Sequence, residues 1–163
     1  MNPDSQTRPE TGTDIISHQL TDADIDLYAA ARDLLLASHH PENHRVAAAM
    51  RGESGTVYLG LHIGSKRINV CAESSALANA RIAQETTIRS AVAVSMDENG
   101  QPQVTNPCGV CRELLRTYAA GTSILVDAAG RVGRVSIEAL LPYPWMRATE
   151  TDWATQPPTV PGS

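Results

Sequence analysis

The sequence contains no phenylalanine, and aromatic residues make up only 4% of its 163 residues. Its core must therefore be packed mainly by Leu, Ile, Val and Ala, and side chains on which nucleic-acid bases could stack are scarce. A basic surplus is also missing, because 13 Lys and Arg stand against 18 Asp and Glu and leave a formal net charge of -5. Together these absences argue against long nucleic acid as a partner.

Long apolar runs are absent as well. No stretch approaches the about 20 apolar residues that are needed to cross a bilayer, and residues 1–14 are polar and acidic without the apolar centre of a secretory signal. We therefore expect no membrane partner and a cytoplasmic location. The chain has three cysteines, and an odd number in an intracellular protein argues against a disulfide framework and favours thiolate chemistry or metal binding.

The composition that remains is typical of one globular domain. Hydrophobic residues make up 42% of the chain and charged residues 19%, at a mass of 17.4 kDa. Polar, Pro-containing segments without hydrophobic periodicity occupy both ends. We therefore predict a flexible tail over residues 1–18, a single domain over 19–147 and a second flexible tail over 148–163.

Hydrophobic periodicity alternates between helical and strand spacing along the domain. Thr21 precedes an acidic first turn and predicts a helix start, and Asn106 followed by Pro107 predicts another. The patterns predict helices over 21–39, 71–84, 106–118 and 137–141, and strands over 46–50, 56–63, 88–95, 123–126 and 132–136. This order predicts an α/β fold, a three-layer sandwich with a mixed sheet of about five strands and crossover helices.

All the cysteine lies in two short patches, each at a predicted helix start. Cys108 and Cys111 are three residues apart, so their sulfurs share one helix face and can bind a single ion, and Cys71 begins the preceding helix. The positive end of a helix favours thiolate over thiol. A metal held by three thiolates keeps a fourth tetrahedral position open, which is typical of a catalytic zinc.

Glu73 follows Cys71 by two residues and can stand beside that open position without ligating the ion. There it can take a proton from zinc-bound water and pass it on. A Cys-x-x-Cys pair alone would be equally compatible with a structural zinc clip or a redox pair. The upstream Cys-Ala-Glu at 71–73 argues against both alternatives, because a structural site would need a fourth protein ligand.

The Cys-Ala-Glu at 71–73 and the Pro-Cys-Gly-Val-Cys at 107–111 together resemble the three-cysteine branch of the cytidine deaminase superfamily. The resemblance extends over about residues 21–145. It implies a zinc-dependent hydrolytic deaminase that releases ammonia from a small-molecule substrate, and a homotetramer whose pockets are completed by neighbouring subunits. The site residues that it implies are Cys71, Cys108 and Cys111 as zinc ligands, Glu73 as proton shuttle, and Ala72 and Asn106 at the aminopyrimidine edge.

The sequence departs from ordinary cytidine deaminases where those enzymes hold the ribose. Their Asn-x-Glu is replaced by His62 and Gly64, and the interval from Gly60 to Cys71 is two residues shorter, which is similar to blasticidin S deaminase-like proteins. That branch also carries aromatic residues near its end, where this chain has Trp145. We therefore consider His62, His44 (nearest to a missing family Phe) and Trp145 as substrate-binding candidates. Packing at a subunit contact or at the core edge remains an alternative for Trp145.

Three thiolates give a zinc site a net charge of -1, which weakens the ion as a Lewis acid. A guanidinium that hydrogen-bonds the sulfurs would offset this charge, and Arg112 is the candidate because it follows Cys111 directly.

The preferred hypothesis is deamination of a cytosine-type nucleoside or nucleoside analogue, such as cytidine, deoxycytidine or a blasticidin S-like compound. A deaminase of another amino heterocycle or of a modified nucleoside is the first alternative. The second is a structural zinc interaction module without catalysis.

Overall fold

The computed structural model describes residues 15–147. The predicted tails, except for residues 15–18, lie outside the described residues. The helices are α1 (Asp22–Ser38), α2 (Ala72–Ile82), α3 (Gly109–Tyr118) and α4 (Ile137–Leu140), and the strands are β1 (Val46–Gly52), β2 (Val57–Leu61), β3 (Ile63–Gly64), β4 (Asn69–Val70), β5 (Ile88–Met96), β6 (Pro102–Thr105), β7 (Ser123–Asp127) and β8 (Val132–Ser136). Within this range, none of the helices combines the length and the apolar character that a membrane span requires.

The predicted mixed sheet is confirmed. Five strands follow the order β2-β1-β5-β7-β8, and β6 pairs with β5 as a sixth. The β5–β7 pair is parallel, with Ser90 opposite Ser123, whereas the other pairs of this sheet are antiparallel. The connection between these parallel strands includes α3, which agrees with the crossover that such a pair requires.

The two faces of the sheet are both covered by helices. Along β1, Ala47 and Ala49 join the core under α1, whereas Ala48 and Met50 join the core under α2 and α3. This alternation is the pleat of a strand that is buried on both faces. The three-layer α/β sandwich predicted from sequence is therefore confirmed, and Ala, Val, Leu and Ile pack its two cores without phenylalanine.

The start of α1 follows the sequence prediction. The Thr21 side chain accepts from the backbone N–H of Asp24, and the Asp24 carboxylate accepts from the backbone N–H of Thr21 at 2.9 Å. This reciprocal pair is a capping box, which satisfies two backbone donors that the helix itself leaves unpaired.

Two local expectations about element ends differ from the structure. The helix expected from residue 106 begins at Gly109, with Cys108 as its N-cap. The strand expected over 56–63 ends at Leu61, and its last residue belongs to a separate two-stranded hairpin of β3 and β4. Two-residue strands carry too few alternating side chains to be detected from sequence.

The predicted flexible tail is too long at its inner end. Ser17 exchanges two backbone hydrogen bonds with Arg134 on β8, at 2.9 and 2.7 Å, and His18 Nδ1 lies 3.0 Å from the carbonyl oxygen of Val132. The reason is that β8 is an edge strand, whose outer backbone groups need partners. Sequence periodicity does not reveal such isolated pairing.

Candidate active site

Three sulfur atoms converge between the beginnings of α2 and α3. Cys71 is the N-cap of α2, Cys108 is the N-cap of α3, and Cys111 lies in the first turn of α3. Their Sγ atoms all lie within 4.8 Å of one another, and those of Cys71 and Cys108 are 3.6 Å apart. The three cysteines are therefore brought together as the sequence predicts.

The first turn of α2 is placed by its close contact with β2. At Gly60, an added Cβ would lie 2.2 Å from both the carbonyl oxygen of Ala72 and the backbone nitrogen of Ala76, so only glycine fits there. The Ser75 hydroxyl donates to the carbonyl oxygen of Leu61 at 3.0 Å and further ties the helix to the strand. These contacts determine where Cys71 stands relative to the sheet.

The first turn of α3 is held by Arg112. Its Nε donates to the carbonyl oxygen of Pro107 at 2.9 Å, and its Nη1 donates to that of Leu140 at 3.3 Å. In the described range, the guanidinium hydrogen-bonds carbonyl groups and no cysteine sulfur, so the expected contact with the thiolates is corrected. Arg112 lies in the first turns of α3, where side chains point back toward the helix start, and this direction brings it to Pro107.

Glu73 lies in the first turn of α2 with 8% of its surface exposed. It faces a small internal cavity that is also lined by Pro107 and Leu115. Its negative charge contributes upward to the pKa of each of the three cysteines, although other contacts lower that of Cys108, so the carboxylate stands close to the whole sulfur cluster. A buried carboxylate beside thiols is costly unless a cation or a substrate balances it.

The three thiols differ in pKa because their surroundings differ. Burial raises the pKa of the Cys111 thiol well above its usual range, and the charge of Glu73 adds to this effect. Burial also raises the pKa of Cys71, with a further contribution from its hydrogen bond to Cys108. At Cys108 burial again acts upward, but the backbone N–H and thiol of Cys111 outweigh it, so the pKa is lowered.

These residues fit a zinc ion. Tetrahedral zinc with Zn–S bonds of about 2.3 Å separates its sulfurs by about 3.8 Å, close to the 3.6 Å between Cys71 and Cys108. A cation would also compensate for the clustered thiolates and for Glu73. Among residues 15–147, the ligand cluster comprises only the three cysteines, which would supply three of the four ligands of a tetrahedral ion.

His62 is buried, and its contact with a substrate stays a prediction. Only 5% of its surface is exposed, and both ring nitrogens are engaged: Nδ1 accepts from the backbone N–H of Arg45 at 3.3 Å, and Nε2 lies 3.0 Å from Asn69 Oδ1. The half-buried His44 donates from Nδ1 to the carbonyl oxygen of His62 at 2.9 Å. Its Nε2 is left as the atom that can meet a ligand.

The three remaining candidates, Ala72, Asn106 and Trp145, differ in their surroundings. Ala72 is buried at the first position of α2, where the helix leaves backbone N–H groups without internal partners. Asn106 is held by Asp127, whose backbone carbonyl oxygen and N–H pair with its amide at 2.9 and 2.8 Å, and its role toward a substrate stays a prediction. Trp145 is 72% exposed, and its assignment to substrate or subunit contacts stays a prediction.

One residue near the site was missed from sequence. Asn69 lies two residues before Cys71 and is the partner of buried His62. The available signal was its position, because residues i and i+2 of a strand point to the same side.

Comparison with known proteins gives a consistent relationship. The chain is 29% identical over 134 residues to a blasticidin-S deaminase from Bacillus cereus, which covers 78% of this chain and 96% of that protein. No protein-family model matches the chain.

Solved structures of similar fold include the cytidine deaminases of Bacillus anthracis and Mycobacterium leprae. The first has a TM-score of 0.64 and 25% identity and covers 74% of this chain and 88% of its own. The second has a TM-score of 0.62 and 24% identity, covers 73% and 97%, and supports the fold. Together with the three-cysteine cluster described above, these similarities support the relationship to the cytidine deaminase superfamily that the sequence predicts, and the relatives found are hydrolytic deaminases.

Proposed function

We propose that this protein is a zinc-dependent hydrolase that deaminates a cytosine-type nucleoside or nucleoside analogue. The observation that carries the proposal is a buried carboxylate, Glu73, beside three converging sulfurs of Cys71, Cys108 and Cys111. A site of this kind joins a proton-transfer group to a metal with an open position, which hydrolysis requires.

The three cysteines would hold the zinc ion from two helix N-termini. When bound, the ion supplies Lewis acidity and makes water a better nucleophile near neutral pH. The helix N-termini at Cys71 and Cys108 place partial positive charge beside the thiolates and partly offset their net charge. The role of Arg112 is to fix the Pro107–Cys108 segment through the Pro107 carbonyl oxygen.

Glu73 moves the protons of the reaction. Its carboxylate accepts a proton from the attacking water and delivers it to the ring nitrogen, and a further transfer protonates the departing amine. The water oxygen forms a bond to the amino-bearing ring carbon, the carbon–nitrogen bond breaks, and ammonia leaves. The balance is one heterocyclic amine plus water giving one carbonyl compound plus ammonia, without oxidation or reduction.

Two observations restrict the sugar or sugar-like part of the substrate. The sequence has Gly64 where ordinary cytidine deaminases have a ribose-binding carboxylate, and His62 is buried against Asn69. Similarity to a blasticidin-S deaminase supports a nucleoside analogue with a modified sugar. We therefore propose that such an analogue is deaminated with higher kcat/KM than cytidine.

The structural zinc module is disfavoured by the ligand count. A structural zinc site is normally closed by four protein ligands, whereas the described residues supply three. A carboxylate buried next to the cluster would also have no role in such a module. Another amino heterocycle remains the alternative substrate class.

The experiment is a measurement of ammonia release by zinc-loaded protein. Cytidine, deoxycytidine, blasticidin S and guanine are supplied separately, and each is compared with Glu73→Gln protein of equal zinc content. Release from a cytosine nucleoside or analogue that depends on Glu73 is the expected result. Release from guanine alone would favour the alternative substrate class, and no release from any compound would contradict the proposed function.

We also propose a homotetramer in the cytoplasm as the working form. The tetramer is supported by the superfamily resemblance and by the exposed apolar side chains of Val110 and Tyr118 on α3. Light scattering at several protein concentrations measures the assembly, and a monomer at all concentrations would contradict it.

A further inference from the structure

The β3–β4 hairpin leads directly into the cluster of sulfurs. Ile63 pairs with Val70 and Gly64 pairs with Asn69, and the next residue after β4 is Cys71. The hairpin is therefore the part of the chain that flanks the site on the side where ordinary relatives would carry the ribose-binding Asn-x-Glu. From this resemblance we expect its side chains to be near the sugar of a bound nucleoside.

The tautomer of His62 is determined by its neighbours. The backbone nitrogen of Arg45 can only donate, so His62 Nδ1 must accept that hydrogen bond at 3.3 Å. In the neutral ring Nε2 then carries the hydrogen and donates to Asn69 Oδ1 at 3.0 Å. The same logic orients the amide of Asn69, because its oxygen must face the ring and its NH₂ group must face away.

The side chain of Asn69 lies on the same side of the extended chain as that of Cys71. Asn69 is exposed, and Cys71 two residues later has extended backbone angles, with φ -66° and ψ 148°. Alternation along extended chain therefore places the two side chains on the same side. Over residues 15–147, no protein acceptor contacts Asn69 Nδ2, so two N–H donors remain for a ligand.

Gly64 makes room for this arrangement. A Cβ at residue 64 would lie 2.8 Å from the carbonyl oxygen of Glu42, 2.9 Å from His62 Cε1 and 3.3 Å from Asn69 Oδ1. A larger residue at this position would displace the His62–Asn69 pair. Two features therefore belong to one structural change: Gly64 replaces the family carboxylate, and His62 is buried.

We propose that Asn69 determines substrate specificity by donating hydrogen bonds to an oxygen on the sugar or sugar-like part of the substrate, and that His62 is its positioning residue. This inference rests on the proposed function. The shared chemistry of the ligand is an acceptor oxygen, and a sugar hydroxyl and a carboxylate are its two possible sources. Asn69 touches no reacting atom, so its contribution is to binding.

The test uses zinc-loaded protein with Asn69→Ala and Asn69→Asp, and Asn99→Asp as the matched control in the distant β5–β6 turn. Both KM and the dissociation constant from equilibrium dialysis are measured for cytidine and for blasticidin S, whose sugar-like ring carries a carboxylate. For Asn69→Ala we expect a rise of about 2- to 10-fold where the acceptor is a hydroxyl, and of roughly 10- to 100-fold where it is a carboxylate. We expect kcat and zinc content to change little, because only uniform binding is lost.

Asn69→Asp separates the two acceptor sources. Its second oxygen can accept from a hydroxyl, so binding through a hydroxyl is largely kept, whereas a carboxylate would meet a like charge and bind more weakly than to Asn69→Ala. Asn99→Asp should change neither constant. Wild-type KM and dissociation constants for both compounds in Asn69→Ala would overturn the proposal.

The positioning role of His62 is tested by His62→Gln and His62→Leu, alone and combined with Asn69→Ala. Gln can still donate to Asn69 and should restore most of the affinity that Leu loses, and neither change should add to Asn69→Ala. Additive losses would overturn the positioning role.

If wild-type protein deaminates and binds substrate but the Asn69 variants behave identically to it, this inference alone is wrong. If the wild-type protein neither binds nor deaminates any nucleoside, the proposed function and this inference are both wrong.

Discussion

The Sγ atoms of Cys71 and Cys108 lie 3.6 Å apart, although 37 positions separate the two residues in the chain. Each residue is the N-cap of a helix, and the two helices pack on the same face of the sheet. The distance matches that between two ligands of a tetrahedral zinc ion. The packing of α2 and α3 on the sheet therefore brings the sulfurs together.

Loss of one cysteine should release the metal. We expect roughly one zinc per chain in wild-type protein and very little in Cys108→Ala, because two thiolates and water hold the ion far more weakly than three thiolates. Elemental analysis after gel filtration measures the content. Val110→Ala, an exposed change in the same helix, is the control and should keep its zinc.

Glu73→Gln should retain zinc and lose activity. The amide preserves the size of the side chain but cannot accept the proton, so kcat should fall by about 10² to 10⁴-fold. Steady-state ammonia release and zinc analysis are measured on the same sample. Glu113→Gln, an exposed change on α3, is expected to behave like wild type, and a Glu73→Gln protein of near wild-type rate would refute the proton-transfer role.

Zinc binding should release protons and weaken as the pH falls. Burial raises the pKa of Cys71 and Cys111, so near neutral pH both are thiols in the metal-free protein, whereas the lowered pKa of Cys108 makes it the first to ionise. Zinc binds thiolates, so each cysteine that is protonated in the metal-free protein should lose roughly one proton. Two to three protons should therefore be released per zinc ion. The affinity for zinc should therefore increase with pH until the thiols are ionised, and it should decrease as the pH falls below their pKa values. Calorimetry in buffers of different ionisation enthalpy counts the protons. If no proton is released, the prediction that Cys71 and Cys111 are protonated before zinc binds is wrong.

Gly60→Ala should disturb the site from the opposite face of α2. The added Cβ would meet backbone atoms of Ala72 and Ala76 at 2.2 Å, and backbone cannot move aside as a side chain would. We expect a loss of about 1–3 kcal/mol or more in the free energy of unfolding, together with weaker zinc binding. Chemical denaturation measures the first and metal titration the second.

Gly109→Ala is the matched control for that substitution. An added Cβ at Gly109 meets no atom within 4 Å, and alanine is the better helix former, so stability should stay equal or rise. Equal losses for Gly60→Ala and Gly109→Ala would show that the close approach at Gly60 does not position α2.

The fold and the residues of the sulfur cluster could be predicted from sequence because their signals are local. The period of apolar residues reports helices and strands, and the capping residues Thr21 and Asp24 mark the start of α1. The spacing of four residues already restricts the chemistry of the site: Cys71, Glu73, Cys108 and Cys111. Nothing in these patterns depends on which distant segments meet.

The roles of the polar residues around the sulfurs were decided by tertiary structure alone. Arg112 follows Cys111 directly, yet its guanidinium is used on the carbonyl oxygens of Pro107 and Leu140. His62 was expected from sequence to bind substrate, yet it is buried beside the β3–β4 hairpin and hydrogen-bonds Asn69. The sequence shows which donors and acceptors are present at a site. Which of them remain free for a ligand depends on the hydrogen bonds that buried polar groups form in the folded protein.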